Sequence, residues 1–309
     1  MSVVRVAAVD CGTNAVRLLV ADVTADGRLT ELVRIMRIVR LGEGVDRTGQ
    51  FSLAALERTF TALDEYARVL ASLEPSRIRF VATSASRDAA NREAFAAGVR
   101  ARLGVDPEVI SGTEEAALSF NGAILGLPYG RAETPALVVD IGGGSTEFVI
   151  GVDGPEESRS VDVGCVRMTE RHLHGDPPTP EEIAGARADI EAAVDSAKQV
   201  VPFDRARCLV GLAGTVTTVA AMALDLPRYD ATILHGSVIT ADQVSVATSR
   251  LLAMTRTARA ALPYMHPGRV DVIAGGAMVL DVIVEAGGFG SVVVSETDIL
   301  DGIVYTLGR

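Results

Sequence analysis

The chain opens with short apolar runs separated by polar turns, a pattern typical of β-strands joined by hairpins. Residues 3–9 form an apolar run, interrupted by Arg5 and rich in β-branched side chains, which predicts a buried strand. The polar segment 10–14 follows, and the apolar run 15–23 predicts a second strand. A hairpin signal at Asp26-Gly27 and the half-polar run 28–41 complete a three-stranded unit.

After residue 50 the apolar residues recur at the spacing of an α-helix. Ser52 is a typical N-cap, and residues 53–73 place apolar side chains at helical spacing. The sequence Leu127-Pro128-Tyr129-Gly130 predicts a break between elements. Between these points we expect strands at 78–83 and 108–110 and helices at 88–103 and 113–125.

The same order of elements begins again at residue 136. A glycine-rich turn at 140–145 separates the first two of three expected strands, which lie at 136–139, 146–152 and 158–163. Thr179-Pro180-Glu181-Glu182 is a capping box with proline at the first helical position, which predicts a helix to about residue 200. The remaining expected elements are strands at 208–212 and 292–294 and helices at 215–224, 240–254, 270–285 and 298–307.

This repetition is visible in the residues themselves. Val9-Asp10-Cys11-Gly12 is similar to Val139-Asp140-Ile141-Gly142, and each lies between two apolar strands. At roughly 150 residues per domain, 309 residues also suggest two domains. We therefore predict domains at 1–128 and 129–309, with the closing helix 298–309 able to pack back on the first domain.

Composition excludes several classes of function. The net charge of −11 argues against a nucleic-acid-binding surface, and Lys198 is the one lysine, so a Walker-type phosphate loop is absent. The N-terminal apolar run is too short for a signal peptide, and no run approaches the ~18 residues needed to span a membrane. Three scattered cysteines favour a reducing compartment. We predict a cytoplasmic protein with neither nucleic-acid nor membrane partners.

The two Asp-x-Gly turns suit a phosphate and its counter-ion. Glycine lets backbone N–H groups approach an anion, whereas an aspartate repels phosphate and is better suited to a divalent cation. The alternative is that each turn only closes a hairpin. A further glycine turn at 211–215 precedes a helix and offers free N–H groups. The candidate phosphate-binding residues are Gly12, Thr13, Asn14, Gly142, Gly143, Gly144, Ser145, Gly214 and Thr215.

Charged side chains in two other segments have either a structural or a catalytic interpretation. Glu114 and Glu115 lie in a predicted first helical turn, where they complement the helix dipole or supply a general base that activates water. Arg87 follows a predicted strand and either clamps a phosphoryl group or pairs with Asp88. Cys11 is interpreted as a small, partly buried filler.

Taken in order, these motifs resemble the exopolyphosphatase / guanosine pentaphosphate phosphatase family, from about residue 5 to the end. The resemblance rests on five segments: 10–14, 82–88, 109–116, 139–147 and 213–215. It implies the sugar kinase–chaperone–actin superfamily fold: α/β, with two ribonuclease-H-like domains, mixed sheets, flanking helices and a cleft between the domains.

The resemblance also implies roles for particular residues. Glu115 matches the general base, Arg87 matches a phosphate-contacting arginine, and Asp10 and Asp140 match aspartates linked to magnesium. The implied catalytic set is Glu115, Asp140 and Arg87, and the implied metal set is Asp10, Asp140 and Glu115. The implied ion is Mg²⁺, with Mn²⁺ as the alternative.

The expected function is an exopolyphosphatase that removes the terminal phosphate of inorganic polyphosphate. Hydrolysis of guanosine pentaphosphate is the first alternative; a non-catalytic alarmone sensor and a kinase of the same superfamily are the others. Many relatives carry a further C-terminal helical domain, whereas this sequence ends at residue 309, so short chains, or a nucleotide such as guanosine pentaphosphate, are the expected substrate. Leu300-Asp301-Gly302 also departs from the leucine-arginine-glutamate-glycine sequence frequent in the family. A homodimer is expected by resemblance.

Overall fold

The computed structural model describes residues 3–128 and 130–308. The chain divides into two compact units: one runs up to Gly122 and resumes at Ile299, and the other is Ala123–Asp298. Tyr129, at the predicted domain boundary, lies outside the described residues, as do residue 2 and the predicted domain ends at residues 1 and 309.

The described part of the first unit is built on a five-stranded mixed sheet. Strands β1 to β3 are antiparallel neighbours, and β4 and β5 run parallel to β1, which gives the order β3-β2-β1-β4-β5. The strands are β1 (Val3–Cys11), β2 (Ala15–Thr24), β3 (Leu29–Ile38), β4 (Arg77–Ala82) and β5 (Pro107–Val109). The helices are α1 (Val45–Thr48), α2 (Leu53–Leu73), α3 (Ser84–Asp88), α4 (Arg92–Leu103) and α5 (Gly112–Gly126).

The described part of the second unit repeats this plan with one more strand. Its sheet has the order β10-β11-β9-β6-β7-β8, in which β6 to β8 are antiparallel and β9 is parallel to β6. The strands are β6 (Ala136–Ile141), β7 (Thr146–Gly151), β8 (Pro155–Val161), β9 (Cys208–Leu212), β10 (Val238–Thr240) and β11 (Ser291–Val294). The helices are α6 (Cys165–His172), α7 (Pro180–Lys198), α8 (Ala213–Ala223), α9 (Ala231–Leu234), α10 (Ala241–Ala253), α11 (Arg256–Ala260) and α12 (Ile273–Gly287), and α13 (Ile299–Leu307) closes the chain on the first unit.

Residues 6–9 of the first strand are all apolar because both faces of the strand are covered there. Ala7 and Val9 face a core that includes residues of α2 and α4, whereas Val6 and Ala8 face a second core that includes residues of α13. When both faces of a strand are buried, side chains on both faces are apolar, so polar and apolar residues do not alternate. The observed architecture, two mixed-sheet α/β units with flanking helices, confirms the predicted fold class.

The structure corrects the predicted end of the third strand. Residues 28–41 were expected to be one strand, but β3 ends at Ile38. The next backbone N–H groups, of Val39 and Arg40, both donate to the carbonyl of Asn14 instead of continuing the ladder. A hydrogen bond to a distant turn cannot be predicted from the spacing of apolar residues along the sequence.

The predicted helix 88–103 corresponds to α4, which begins only at Arg92; Asp88 is instead the last residue of α3, a separate short helix that was not predicted. Ala89 is extended between them, and the Ala90 N–H donates to the carbonyl of Gly49. The Asn91 side chain is bound to the backbone of Phe51 through both its oxygen and its nitrogen. These contacts with a distant loop interrupt the helix. The short elements α1, α6, α9, α11 and β10 were not predicted.

Candidate active site

The turn between β1 and β2 is closed by a bond from the Gly12 N–H to the Ala15 carbonyl at 2.9 Å. Asp10 is buried just before it and lies directly opposite Arg17 in the strand register. The Nη2 and Nε atoms of Arg17 both donate to Asp10 Oδ2, at 2.7 and 2.9 Å. The first of the two predicted aspartates is therefore ion-paired with an arginine of its own hairpin.

The carbonyl groups of this turn are bound from one side by residues 39–42. The Gly42 N–H donates to Thr13 O at 2.8 Å, and the N–H groups of Val39 and Arg40 donate to Asn14 O at 3.0 and 2.9 Å. Because C=O and N–H point in opposite directions across a trans peptide, the Asn14 N–H is directed away from residues 39–42. The Asn14 Oδ1 atom is buried, and no donor among residues 3–128 and 130–308 bonds to it, so it can still accept a hydrogen bond.

The turn between β6 and β7 has the same closure, from the Gly142 N–H to the Ser145 carbonyl at 3.0 Å. Here the carbonyl groups are bound by the start of α6. Cys165 N donates to Gly142 O, Val166 N and Arg167 N donate to Gly143 O, and Arg167 Nε donates to Gly144 O at 2.7 Å. The amides of residues 143–145 are consequently directed away from α6, an arrangement of successive N–H donors that suits an anion.

The second turn carries two buried carboxylates. Asp140 and Glu147 are cross-strand partners, so their side chains lie on the same face of the sheet. They are 6% and 1% exposed. Glu147 Oε1 accepts hydrogen bonds from Ser145 Oγ at 2.7 Å and Ser160 Oγ at 2.8 Å. Glu147 ends the segment 139–147 but was not among the predicted site residues, although its position opposite Asp140 across a short hairpin turn indicates the pair.

Glu115 is held by Arg87 at the start of α5. Arg87 Nη1 donates to Glu115 Oε2 at 2.7 Å and to the Ile110 carbonyl at 3.1 Å. Within residues 3–128 and 130–308, the Nε and Nη2 groups of Arg87 make no hydrogen bond. The arginine is thus anchored through one nitrogen and can present the other two to an anion. Glu115 is 8% exposed, so its carboxylate does not project into bulk solvent.

The neighbouring Glu114 has different surroundings. Its side chain is 46% exposed and pairs with Arg79 at 2.6 Å on the surface. The structure therefore separates the two glutamates that the sequence left equivalent: Glu114 belongs to a surface ion pair, and Glu115 belongs to the buried pair with Arg87.

The glycine turn at the start of α8 is strained and is covered by an arginine. Ala213 has a φ of 65°, an unusual value for a residue with a side chain. A Cβ atom on Gly214 would lie 2.3 Å from Arg269 Cζ, so the guanidinium packs directly over this glycine. Arg269 Nη1 also donates to Thr218 Oγ1 at 3.2 Å. Arg269 was missed by the sequence analysis, because it lies more than fifty residues beyond the turn that it covers.

Burial raises the pKa of two cysteines beside these turns. The pKa of Cys11 is well above its usual range because the thiol is buried, with a further contribution from the charge of Asp10. The pKa of Cys165 is raised to about 11 by burial, although a hydrogen bond with Thr215 and the charge of Arg269 oppose the shift. Both side chains are neutral thiols at pH 7, which excludes them as ready nucleophiles.

The predicted residues of each unit converge at the carboxyl end of its parallel strands. In the first unit the Thr83 N–H donates to the Cys11 carbonyl, which joins the end of β4 to the first turn. In the second unit Asp140 is the register partner of Leu212, which directly precedes the turn of α8. This edge of the sheet is where α/β folds bind ligands.

The carboxylates of the second unit suit a hard divalent cation. No cluster of three or more His, Cys, Asp or Glu side chains with metal-binding geometry occurs in the described part of the chain. Magnesium commonly uses one or two carboxylates, several waters and substrate phosphate oxygens. Asp140 and Glu147 fit that chemistry.

The chain is similar to known proteins along nearly its whole length. The sequence profile of the Ppx/GppA phosphatase family matches residues 19–308. Exopolyphosphatase 2 of Mycobacterium tuberculosis (strain ATCC 25618 / H37Rv) is 49% identical over 99% of both chains. The crystal structure of an exopolyphosphatase-like protein superimposes with a TM-score of 0.95 at 43% identity, over 99% of each chain. The Ppx/GppA family member of Aquifex aeolicus gives a TM-score of 0.82 at 30% identity, over 99% of this chain and 98% of that one.

No helix of residues 3–128 and 130–308 is both long and apolar enough to cross a membrane.

Proposed function

This chain belongs to the Ppx/GppA phosphatase family, and we propose on that premise that it is an exopolyphosphatase that removes the terminal phosphate of inorganic polyphosphate. The observation that carries the proposal is the arrangement around Glu115: a nearly buried carboxylate held by one nitrogen of Arg87, whose other nitrogens are available to a phosphate. The full-length similarity to a protein named exopolyphosphatase supports the choice of substrate.

In the proposed reaction, Glu115 accepts a proton from a water molecule. The water oxygen forms a bond to the terminal phosphorus, the bridging P–O bond breaks, and the shortened chain leaves with the electron pair. Phosphoryl transfer depends mainly on positioning and charge stabilisation, because its transition state is loose. Arg87 and the oriented amides of the two turns would supply these contributions.

We propose Mg²⁺ as the cofactor, with Mn²⁺ as the alternative; it would supply positive charge beside the phosphate oxygens. Asp140 is the principal candidate to hold it, and Glu147 joins the set. Asp10 and Glu115 remain proposed contributors, although each already shares an oxygen with an arginine. We also propose a cytoplasmic location and a homodimer, both by family resemblance.

The direct test measures phosphate release by the purified protein with Mg²⁺. Tripolyphosphate, a long polyphosphate and guanosine pentaphosphate are compared side by side, with removal of the metal by EDTA as the control. The proposal predicts metal-dependent release from polyphosphate. Faster release from guanosine pentaphosphate would establish the alternative substrate, and tight binding without release would favour a sensor.

A further inference from the structure

The segment that follows the third strand of each unit binds the carbonyl groups of that unit's glycine turn. In the first unit, β3 is followed by residues 39–42, which donate three backbone N–H groups to the carbonyls of Thr13 and Asn14. In the second unit, β8 is followed by residues 163–167, which donate to the carbonyls of residues 142–144. The same arrangement therefore occurs twice in a duplicated chain, on turns of the same closure.

We propose that residues 39–42 and 163–167, named here the two anchor segments, are positioning elements that aim the turn amides at the substrate phosphates. The proposal rests on the proposed function, since it assumes that these turns bind phosphate. Its physical basis is the planarity of the peptide: a carbonyl fixed toward the anchor segment fixes the following N–H in the opposite direction. Amides oriented before the substrate arrives need no reorganisation when charge develops.

Two glycines allow the anchor segments to approach this closely. A Cβ atom on Gly42 would lie 2.3 Å from Thr13 Cγ2, and one on Gly164 would lie 2.6 Å from the carbonyl carbon and oxygen of Gly143. Neither glycine has a positive φ, so each is required for space and not for backbone conformation. The Cβ on Gly42 would also lie 3.1 Å from Ala85 Cβ and 3.2 Å from Thr13 Cβ, contacts that a small local shift relieves. The severe contact is with a side-chain methyl group, which a further substitution can remove, whereas the backbone of Gly143 cannot be removed.

The Gly42→Ala variant therefore has a specific predicted rescue. Alanine at position 42 should push the Thr13 side chain and its peptide away from the anchor segment, and kcat/KM for tripolyphosphate should fall by ~10–100-fold, the scale associated with a misplaced binding group. Adding Thr13→Ser removes the obstructing methyl group and retains a hydroxyl. We expect the double variant to recover to within about 3-fold of Thr13→Ser alone. Gly154→Ala is the matched control, because a Cβ atom there meets nothing within 4 Å.

A binding readout separates this proposal from the proposed function. Orthophosphate titration of ¹⁵N-labelled protein should shift the Asn14 amide in the native protein and in the double variant, but much less in Gly42→Ala. A native protein that shows neither this shift nor phosphate release would overturn the proposed function itself. A Gly42→Ala variant with native turnover and a native Asn14 response would overturn only the positioning role.

Arg167 provides an independent variant if Gly42→Ala does not fold. Arg167→Lys retains the positive charge but cannot reproduce the Nε bond to Gly144 O. If Arg167 positions the turn, this variant should raise KM for tripolyphosphate at least ~3-fold and weaken the response of the Ser145 amide to orthophosphate. Native values for both would show that the side-chain anchor does not position the second turn.

Discussion

Glu114 and Glu115 are adjacent in sequence, yet their side chains have different surroundings. A helix-dipole role suits any acidic residue in a first turn, so the sequence could not choose between them without the resemblance. In the structure Glu114 lies in a surface pair with Arg79, whereas Glu115 is nearly buried against Arg87. Glu115 is distinguished from Glu114 as the candidate base by its burial and by its ion pair with Arg87, since both residues are glutamates.

We predict that Glu115→Gln lowers kcat for tripolyphosphate by ~10²–10⁴-fold and changes KM little, because glutamine retains the shape but cannot accept the proton. Glu114→Gln is the matched control and should keep kcat within about 2-fold, since an exposed ion pair contributes little. Steady-state phosphate release by both variants gives the comparison. Similar losses in both variants would mean that Glu115 has no special part in the chemistry.

Other residues of the candidate site could not be found from the sequence. Arg17 is seven residues from Asp10, and the strand register alone makes them partners. Arg269 reaches Gly214 through the fold of the second unit, and no local spacing indicates that contact. By contrast, glycine turns and acidic first helical turns follow local rules, which is why those candidates were accessible.

At the scale of elements, the closing helix shows how one buried ion pair fixes a terminal segment. The Asp301 side chain on α13 is 4% exposed and binds Arg34 of β3 at 2.6 Å. The same arginine binds Glu31, which is 46% exposed. Gly302 allows α13 to lie against the Leu118 carbonyl, where any side chain would collide. The aspartate that departs from the family sequence therefore has a structural partner.

We expect Asp301→Asn to lower the free energy of unfolding by about 1–3 kcal/mol, because the buried half of the pair loses its charge. Glu31→Gln removes the exposed partner of the same arginine and should change it by less than about 0.5 kcal/mol. Urea denaturation of both variants and the native protein measures the difference. Equal effects would show that burial of Asp301 does not set the strength of the pair.

The elements themselves were predicted to different extents for physical reasons. Long helices such as α2 and α7 carry both apolar spacing and side-chain caps, and their observed starts match those signals. The short helix α6 was missed because its first turn is stabilised by the carbonyls of residues 142 and 143, far away in sequence. Local periodicity predicts elements that stabilise themselves and misses those that depend on a distant turn.

At the scale of the whole molecule, the duplicated units differ at equivalent positions. The turns of both units are closed by the same hydrogen bond, and each is bound by the segment after the third strand. Yet the residue opposite the aspartate is Arg17 in the first unit and Glu147 in the second. In the first unit an arginine of the same hairpin pairs with the aspartate, and in the second unit a further carboxylate lies on the same face as the aspartate. The sequence repeat predicted the shared plan, but only the strand register shows this difference in charge.

This difference predicts where the metal dependence resides. Glu147→Gln should raise the Mg²⁺ concentration for half-maximal activity by ~10–100-fold, the scale for loss of a group that supports a metal ligand, because one negative charge is removed beside Asp140. Glu157 lies on the same β7–β8 hairpin and pairs with Arg205 on the surface. Glu157→Gln is the matched control and should leave the Mg²⁺ concentration for half-maximal activity unchanged. Phosphate release is measured over a Mg²⁺ series, and direct Mg²⁺ binding by calorimetry tests the assignment without turnover. An unchanged Mg²⁺ requirement in Glu147→Gln would remove Glu147 from the proposed metal set and leave Asp140 as its principal member.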